Sequence, residues 1–169
     1  MSNWGTTPQL PGLLPDGDRP LAYHQAIAEA MELALASDDR VRLFGEGCSD
    51  KGGTYGTTRG LQDRFGDERV FDVPTAEGVI TGMGVGMALA GLRPIVIHPR
   101  NDFLLVGVDQ IVNHAAKWDL MFGHRQNCPV AIRTVACRGW GSAAQHSQAL
   151  HATIAHYPGI AVAVPFTPA

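Results

Sequence analysis

The sequence predicts an α/β fold, a doubly wound, mostly parallel sheet with helices on both faces. Three observations point there. Short runs at residues 41–44, 70–73, 94–98, 130–135 and 160–164 are apolar throughout and alternate with stretches of helical periodicity, and strands apolar on both faces are those buried between two layers. Polar and aromatic residues gather directly after those runs, in Gly45-Glu46-Gly47, Pro74 to Glu77, His98 to Phe103 and Arg138 to His146. Sheets of this kind bind their ligands beyond the carboxyl ends of the strands. The third observation is a helix pattern that opens on Glu77 and carries Gly78, Gly82, Gly84 and Gly86.

The elements follow in order. Residues 1–20 contain Pro8, Pro11, Pro15 and Pro20 without an apolar run, which reads as an extended arm and neither a signal peptide nor a membrane span. Residues 21–169 form one domain, large enough for a core of its own. Ile27, Met31, Ala34 and Leu35 make one stripe of a helix over residues 21–37. The first strand is residues 41–44. A glycine-rich loop over 45–56 leads to a short helix at 58–65, and the second strand, 70–73, ends at Pro74. The glycine helix comes next, then a strand at 94–98, a helix over 103–118, a strand at 130–135, a helix over 147–156 and a fifth strand at 160–164.

Composition narrows the function. A net charge of −3 and 13 scattered Lys and Arg residues leave no basic footprint for nucleic acid or an anionic membrane. Cys48, Cys128 and Cys137 lack the close pairing of a zinc or redox motif and suit a reducing cytoplasm.

Glycine inside a helix costs about 1 kcal/mol against alanine, so the four glycines forfeit roughly 3 to 4 kcal/mol of helix preference. Gly78, Gly82 and Gly86 recur every fourth residue and share one face. That face is expected to admit another backbone, a neighbouring subunit or a flat ligand. A dinucleotide fingerprint does not explain it: the spacing is Gly-x-Gly-x-Gly inside the helix, and no acidic residue ends the strand near residues 93–98.

Glu77 followed by Gly82-Met83-Gly84-Val85-Gly86 resembles the Glu-x4-Gly-Φ-x-x-Gly signature of the pyrimidine-binding domain in thiamine diphosphate enzymes. Leu43-Phe-Gly-Glu46, Arg64-Phe-Gly-Asp-Glu-Arg-Val-Phe-Asp72, Asp109-Gln-Ile-Val-Asn113 and Gln145-His-Ser-Gln148 are similar, in order, to the β subunit of the first component of 2-oxo acid dehydrogenases, itself close to transketolase. The resemblance implies that Glu77 bonds the far ring nitrogen of the cofactor's aminopyrimidine and promotes its imino form. Val73, Pro74, Val79 and Ile80 are expected to surround it with apolar groups that disfavour its charge. Phe103 matches the position whose ring stacks on the aminopyrimidine, and His146 matches a histidine at the active-site mouth. Glu46 matches an acidic residue between the paired sites of the family's tetramers.

The family holds magnesium and the diphosphate through a Gly-Asp-Gly motif on a separate pyrophosphate domain, and Gly17-Asp-Arg and Gly66-Asp-Glu do not qualify. The resemblance therefore implies a hetero-oligomer in which an α-like pyrophosphate-domain subunit holds most of the thiamine diphosphate and Mg2+. A separate chain for the C-terminal transketolase-like domain and a lipoyl carrier protein are further expected partners. A genuine short subunit and a truncated piece are both open. His98, Arg100, Asn101 and Arg138, with Trp140, are candidate contacts for a hydroxylated or phosphorylated donor, since arginine offers a fork to phosphate oxygens. Arg100 equally suits an ion pair with a partner chain. Decarboxylation of a 2-oxo acid and two-carbon ketol transfer from a ketose phosphate are both open, with a non-catalytic assembly subunit as the alternative.

Overall fold

The computed structural model describes residues 20–136 and 142–166. The arm expected over residues 1–20, apart from Pro20, and Arg138 and Trp140 lie outside them. Four parallel strands, β1 (Val41–Gly45), β2 (Val70–Asp72), β3 (Arg93–His98) and β4 (Ala131–Thr134), form one sheet in the order β2-β1-β3-β4. The chain leaves β1 toward β2 and returns to the other side of β1 as β3. The crevice between the ends of β1 and β3 is therefore the switch point, where such sheets take ligands.

Helices cover both faces. α1 (Tyr23–Ser37) and the short α2 (Leu61–Phe65) lie on one side, where Met31, Leu35 and Leu61 pack with Val41, Leu43, Val70 and Ile97 of the strands. On the other side α3 (Glu77–Leu89) brings Ile80 against Phe44 and Val96, whose side chains alternate with those of the first set. Each Leu, Ile or Val fully buried in these two layers contributes about 1.5 to 3 kcal/mol.

α3 reaches the sheet through Gly84. A methyl group there would sit 2.4 Å from Val96 Cγ2 and 3.4 Å from Val130 Cγ2. Of the occupants expected beside the stripe of Gly78, Gly82 and Gly86, namely another backbone, a neighbouring subunit or a flat ligand, it is another backbone of the same chain that Gly78 meets. Gly78 faces Val106 of the same chain and Gly82 faces Gln110, while Gly86 alone has open space beside it.

That packing also breaks the helix expected over residues 103–118. The segment starts two residues earlier as α4 (Asn101–Leu104), tightens to a 3-10 turn at Leu105–Gly107, and widens to π-helical turns at Gln110–Ala115 before α5 (Trp118–Met121). Gly107 presses on α3, where an added methyl would lie 2.4 Å from Thr81 Oγ1 and 3.3 Å from Glu77 O. A uniform helix cannot hold that contact and keep its pitch.

Other boundaries move as well. The helix expected at 58–65 begins at Leu61, because Thr58 is turned inward to accept the Thr54 N–H on its hydroxyl at 2.8 Å. The helix expected over 147–156 is a 3-10 turn at Ala144–His146 and a short α6 at His151–Ala155. The fifth strand is absent: residues 160–164 join no ladder, and Val162 and Val164 are exposed. An apolar run reports a need for cover rather than a partner strand, and no described strand lies on the free edge of β4.

His98, read from the sequence as a candidate substrate contact, ends β3 with no exposed surface. The Thr81 hydroxyl donates its single hydrogen to Glu77 O at 2.7 Å. His98 Nε2, 3.0 Å from the same oxygen, is then the donor to it, and Nδ1 is left as a buried acceptor without a partner. Burial brings the imidazole down to a pKa of about 4, against the opposing charge of Glu77.

Two outcomes follow. Gly84→Ala lowers the urea midpoint by a stability loss of about 1 to 3 kcal/mol, the cost of overpacking, whereas Gly86→Ala raises it by about 0.5 to 1 kcal/mol. For His98, both states are neutral above pH 6.5, so stability is flat there. Between 6.5 and about 4 the unfolded chain alone binds the proton, and below that window nothing more is lost. Chemical denaturation across this range shows a decline of at most about 3 kcal/mol that is absent in His98→Gln.

Candidate active site

Two carboxylates meet at the switch point. Glu46 follows β1, and Glu77 opens α3 after β2. The turn that carries Glu46 is fixed by its backbone: its N–H donates to Ile97 O at 3.3 Å, and Thr54 Oγ1 donates to its carbonyl at 2.9 Å. Gly45 precedes it with φ 151°, where any side chain would collide with Ile97 O. Glu46 Oε1 is buried and has no hydrogen-bond partner. Burial, and then the negative charge of Glu77, push the Glu46 carboxyl above its ordinary pKa. An unpartnered buried acceptor beside a second carboxylate is a place for a ligand that brings hydrogen-bond donors.

The surroundings of Glu77 are less apolar than its sequence neighbours suggest. Ile80 is buried and Val73 half-buried, but Pro74 is exposed and Val79 is 63% exposed on the outer side of α3. Glu77 itself is half-buried. What holds its turn is the chain of contacts from His98 through Thr81 to the Glu77 carbonyl.

A second group forms around the start of α4. Phe103 and His146 meet edge to face, with ring centroids 5.0 Å apart and planes at 80°. Both rings are half-buried. Arg100 is not presented to a mouth: it is 6% exposed, donates from Nη1 to His146 O at 3.1 Å, and lies over the Tyr55 ring at 5.4 Å. Asn101 is equally committed to the protein. Its Oδ1 accepts the Leu150 N–H at 2.8 Å, and its Nδ2 donates to Gln148 O at 2.9 Å. Because α4 begins at Asn101, both side chains turn toward residues 146–150.

The structure thus brings Glu46 to Glu77, with His98 behind them, and Phe103 to His146, with Arg100 and Asn101 behind those. Thr81, Tyr55, Asp102 and Gln148 were missed by sequence reasoning. Thr81 stands four residues after Glu77 and was legible from helical spacing; the others act across more than forty residues and leave no local signal. Arg133 on β4 was missed too. Its Nη2 donates to Thr57 Oγ1, while its Nε and Nη1 are buried without partners and burial lowers its pKa. Among the described residues no three of His, Cys, Asp or Glu come together to hold a metal ion, and no helix is long and apolar enough to cross a membrane.

Comparison with known proteins places the sequence in a family. Residues 19–169 match the family described as transketolase, pyrimidine binding domain. The chain is 38% identical over 148 residues to 2-oxoisovalerate dehydrogenase subunit beta of Bacillus subtilis, covering 88% of this chain and 45% of that protein. It is 37% identical over 162 residues to acetoin:2,6-dichlorophenolindophenol oxidoreductase subunit beta of the same organism, covering 89% and 47%. Against the mitochondrial pyruvate dehydrogenase E1 component subunit beta of Bos taurus it is 38% identical over 147 residues, covering 87% and 41%. The chain spans less than half the length of these relatives. With a parallel sheet wound in both directions, a carboxylate opening the glycine helix and a match over nearly the whole sequence, this chain belongs to the transketolase pyrimidine-binding-domain family.

Proposed function

We propose that this chain supplies the pyrimidine side of a thiamine diphosphate site in a hetero-oligomeric 2-oxo acid dehydrogenase. The observation that supports it most directly is the pair of carboxylates at the switch point, one of them with a buried oxygen lacking a partner. Thiamine diphosphate fits such a place, since its aminopyrimidine carries both ring nitrogens and an exocyclic amine. When bound, it supplies a ring carbon that adds to a carbonyl and allows the adjacent carbon–carbon bond to break.

The roles of the chain's own residues follow from their positions. Glu77 exchanges a proton with the far ring nitrogen, a task for a carboxyl held in place by its backbone. Glu46 accepts from a donor on the same side of the site. Phe103 offers a ring face to the pyrimidine, worth about 0.5 to 1.5 kcal/mol beyond its burial. His146, against that ring, donates to the carboxylate or carbonyl oxygen of the donor substrate.

Two of the three relatives are named for 2-oxo acids, pyruvate and 2-oxoisovalerate, and the third for acetoin, which favours a 2-oxo acid over a ketose phosphate. So does the burial of Arg100, which is engaged by His146 and Tyr55 instead of being offered to a phosphate. In this reading an α-type subunit with a pyrophosphate domain binds the diphosphate and Mg2+. A transketolase-like C-terminal domain completes the enzyme, and a lipoyl carrier protein takes the acyl group. The thiols of Cys48 and Cys128, both free, suit the cytoplasm.

The test uses the assembled enzyme with thiamine diphosphate and Mg2+, following oxidation of 2-oxoisovalerate or pyruvate with 2,6-dichlorophenolindophenol as acceptor. Glu77→Ala lowers kcat by about 100-fold or more, the usual weight of a positioned proton-transfer group, while the complex stays intact by light scattering. Full activity in that variant ends the reading. Phe103→Ala raises the half-saturating thiamine diphosphate concentration by about 3- to 10-fold with a smaller change in kcat.

A further inference from the structure

The first turn of α4 grips the segment that carries His146 at every second residue. Arg100 Nη1 donates to His146 O at 3.1 Å. Asn101 Nδ2 donates to Gln148 O at 2.9 Å, and Asn101 Oδ1 accepts from Leu150 N at 2.8 Å. Asp102 Oδ1 accepts from Gln148 N at 3.1 Å and from Gln148 Nε2 at 3.0 Å. Phe103 then meets the His146 ring itself. Four consecutive residues hold positions 146, 148 and 150, a span with a single 3-10 turn and no strand of its own.

The two inner members of this clasp are costly to bury and must have a purpose that compensates. Asn101 is 5% exposed and Asp102 6% exposed. Asn101 also ties α4 to the end of β4, through its N–H to Val135 O at 3.1 Å and Nδ2 to the same oxygen at 3.3 Å. Its Nδ2 lies 3.2 Å from Asp102 Oδ2, so the two side chains brace each other. β4, α4 and residues 146–150 are joined at one point, and that point fixes where the 3-10 turn ends and the imidazole begins.

We propose that Asn101 and Asp102 are positioning residues for His146: they clamp Gln148 and Leu150 so that the imidazole stays against Phe103 and at the donor substrate. This inference rests on the proposed role of His146. It assigns to Asn101 a part different from substrate binding and gives Asp102 its first. In this role both side chains act through residues two and four beyond the imidazole. A displacement of about 1 Å in such a group can cost on the order of 100-fold in rate.

The test is a double-mutant cycle in the assembled enzyme, with 2-oxoisovalerate or pyruvate as donor and 2,6-dichlorophenolindophenol as acceptor. Asn101→Ala and Asp102→Ala each lower kcat by about 10- to 100-fold in the wild-type background and by less than about twofold when combined with His146→Ala. Asp102→Asn keeps one acceptor oxygen toward Gln148 and is the better-folded probe; it recovers activity to within about threefold of wild type and guards against loss of the alanine variant to misfolding. Losses that multiply with that of His146→Ala overturn the positioning role while leaving His146 in the site. Unchanged activity in Asn101→Ala and Asp102→Asn together with Asp102→Ala overturns it as well. Wild-type activity in His146→Ala itself overturns the reading on which the inference rests.

Discussion

The contact of Gly84 with Val96 sets the distance between α3 and the sheet, and the rest of the carboxyl-end architecture is built at that distance. With α3 pressed on β3, Thr81 comes within hydrogen-bond reach of His98, and the first turn of the helix is tied to the strand beneath it. The same closeness leaves room on the helix's other side for Gly107 to lie against Thr81 and the Glu77 carbonyl. Glu77 is therefore held from two directions by groups that never touch its carboxylate. Three backbones approach one another here more closely than side chains allow, which is why the glycines are where they are.

Charge at this end of the sheet is organised by burial more than by pairing. Burial, and then repulsion from Glu77, give Glu46 a tendency to hold its proton. His98, buried behind them, stays neutral in spite of the charge of Glu77, so it offers a lone pair and an N–H rather than a counter-charge. Among the described residues no Lys or Arg forms an ion pair with Glu46 or Glu77. Such a set, two carboxyls and a neutral imidazole, suits a ligand that brings N–H groups, as the aminopyrimidine of the proposed cofactor does.

The parallel sheet was legible because its strands are apolar on both faces, and the carboxyl-end rule then pointed to the loops in which the family resemblance singles out Glu46, Glu77, Phe103 and His146. The pairings among these residues could not be read in the same way. Asn101 and Asp102 look like an exposed polar step between a strand and a helix. They are buried because residues forty-odd positions away fold over them. Arg100 was read as a phosphate fork for the same reason: side-chain chemistry is visible in a sequence, whereas the direction in which the side chain turns depends on where the helix begins. The expected strand at 160–164 failed differently, since hydropathy marks a segment that needs cover without naming what covers it.

The strand order has a consequence for how the chain reaches this state. β1 pairs with β3 across about fifty residues, and with β2 across a loop and α2. No two neighbouring strands can find each other by a tight turn, so the sheet assembles through closures of long loops, which are slow. α3 lies inside the largest of those closures, and with four glycines it has little tendency to form in isolation. It has to form upon the β1–β3 pair, after Val96 and Phe44 are in place to receive it. Folding and formation of the Glu77 turn are then one event: a chain whose β1–β3 ladder has not closed has not yet placed Glu77, so partly folded molecules lack the proposed site.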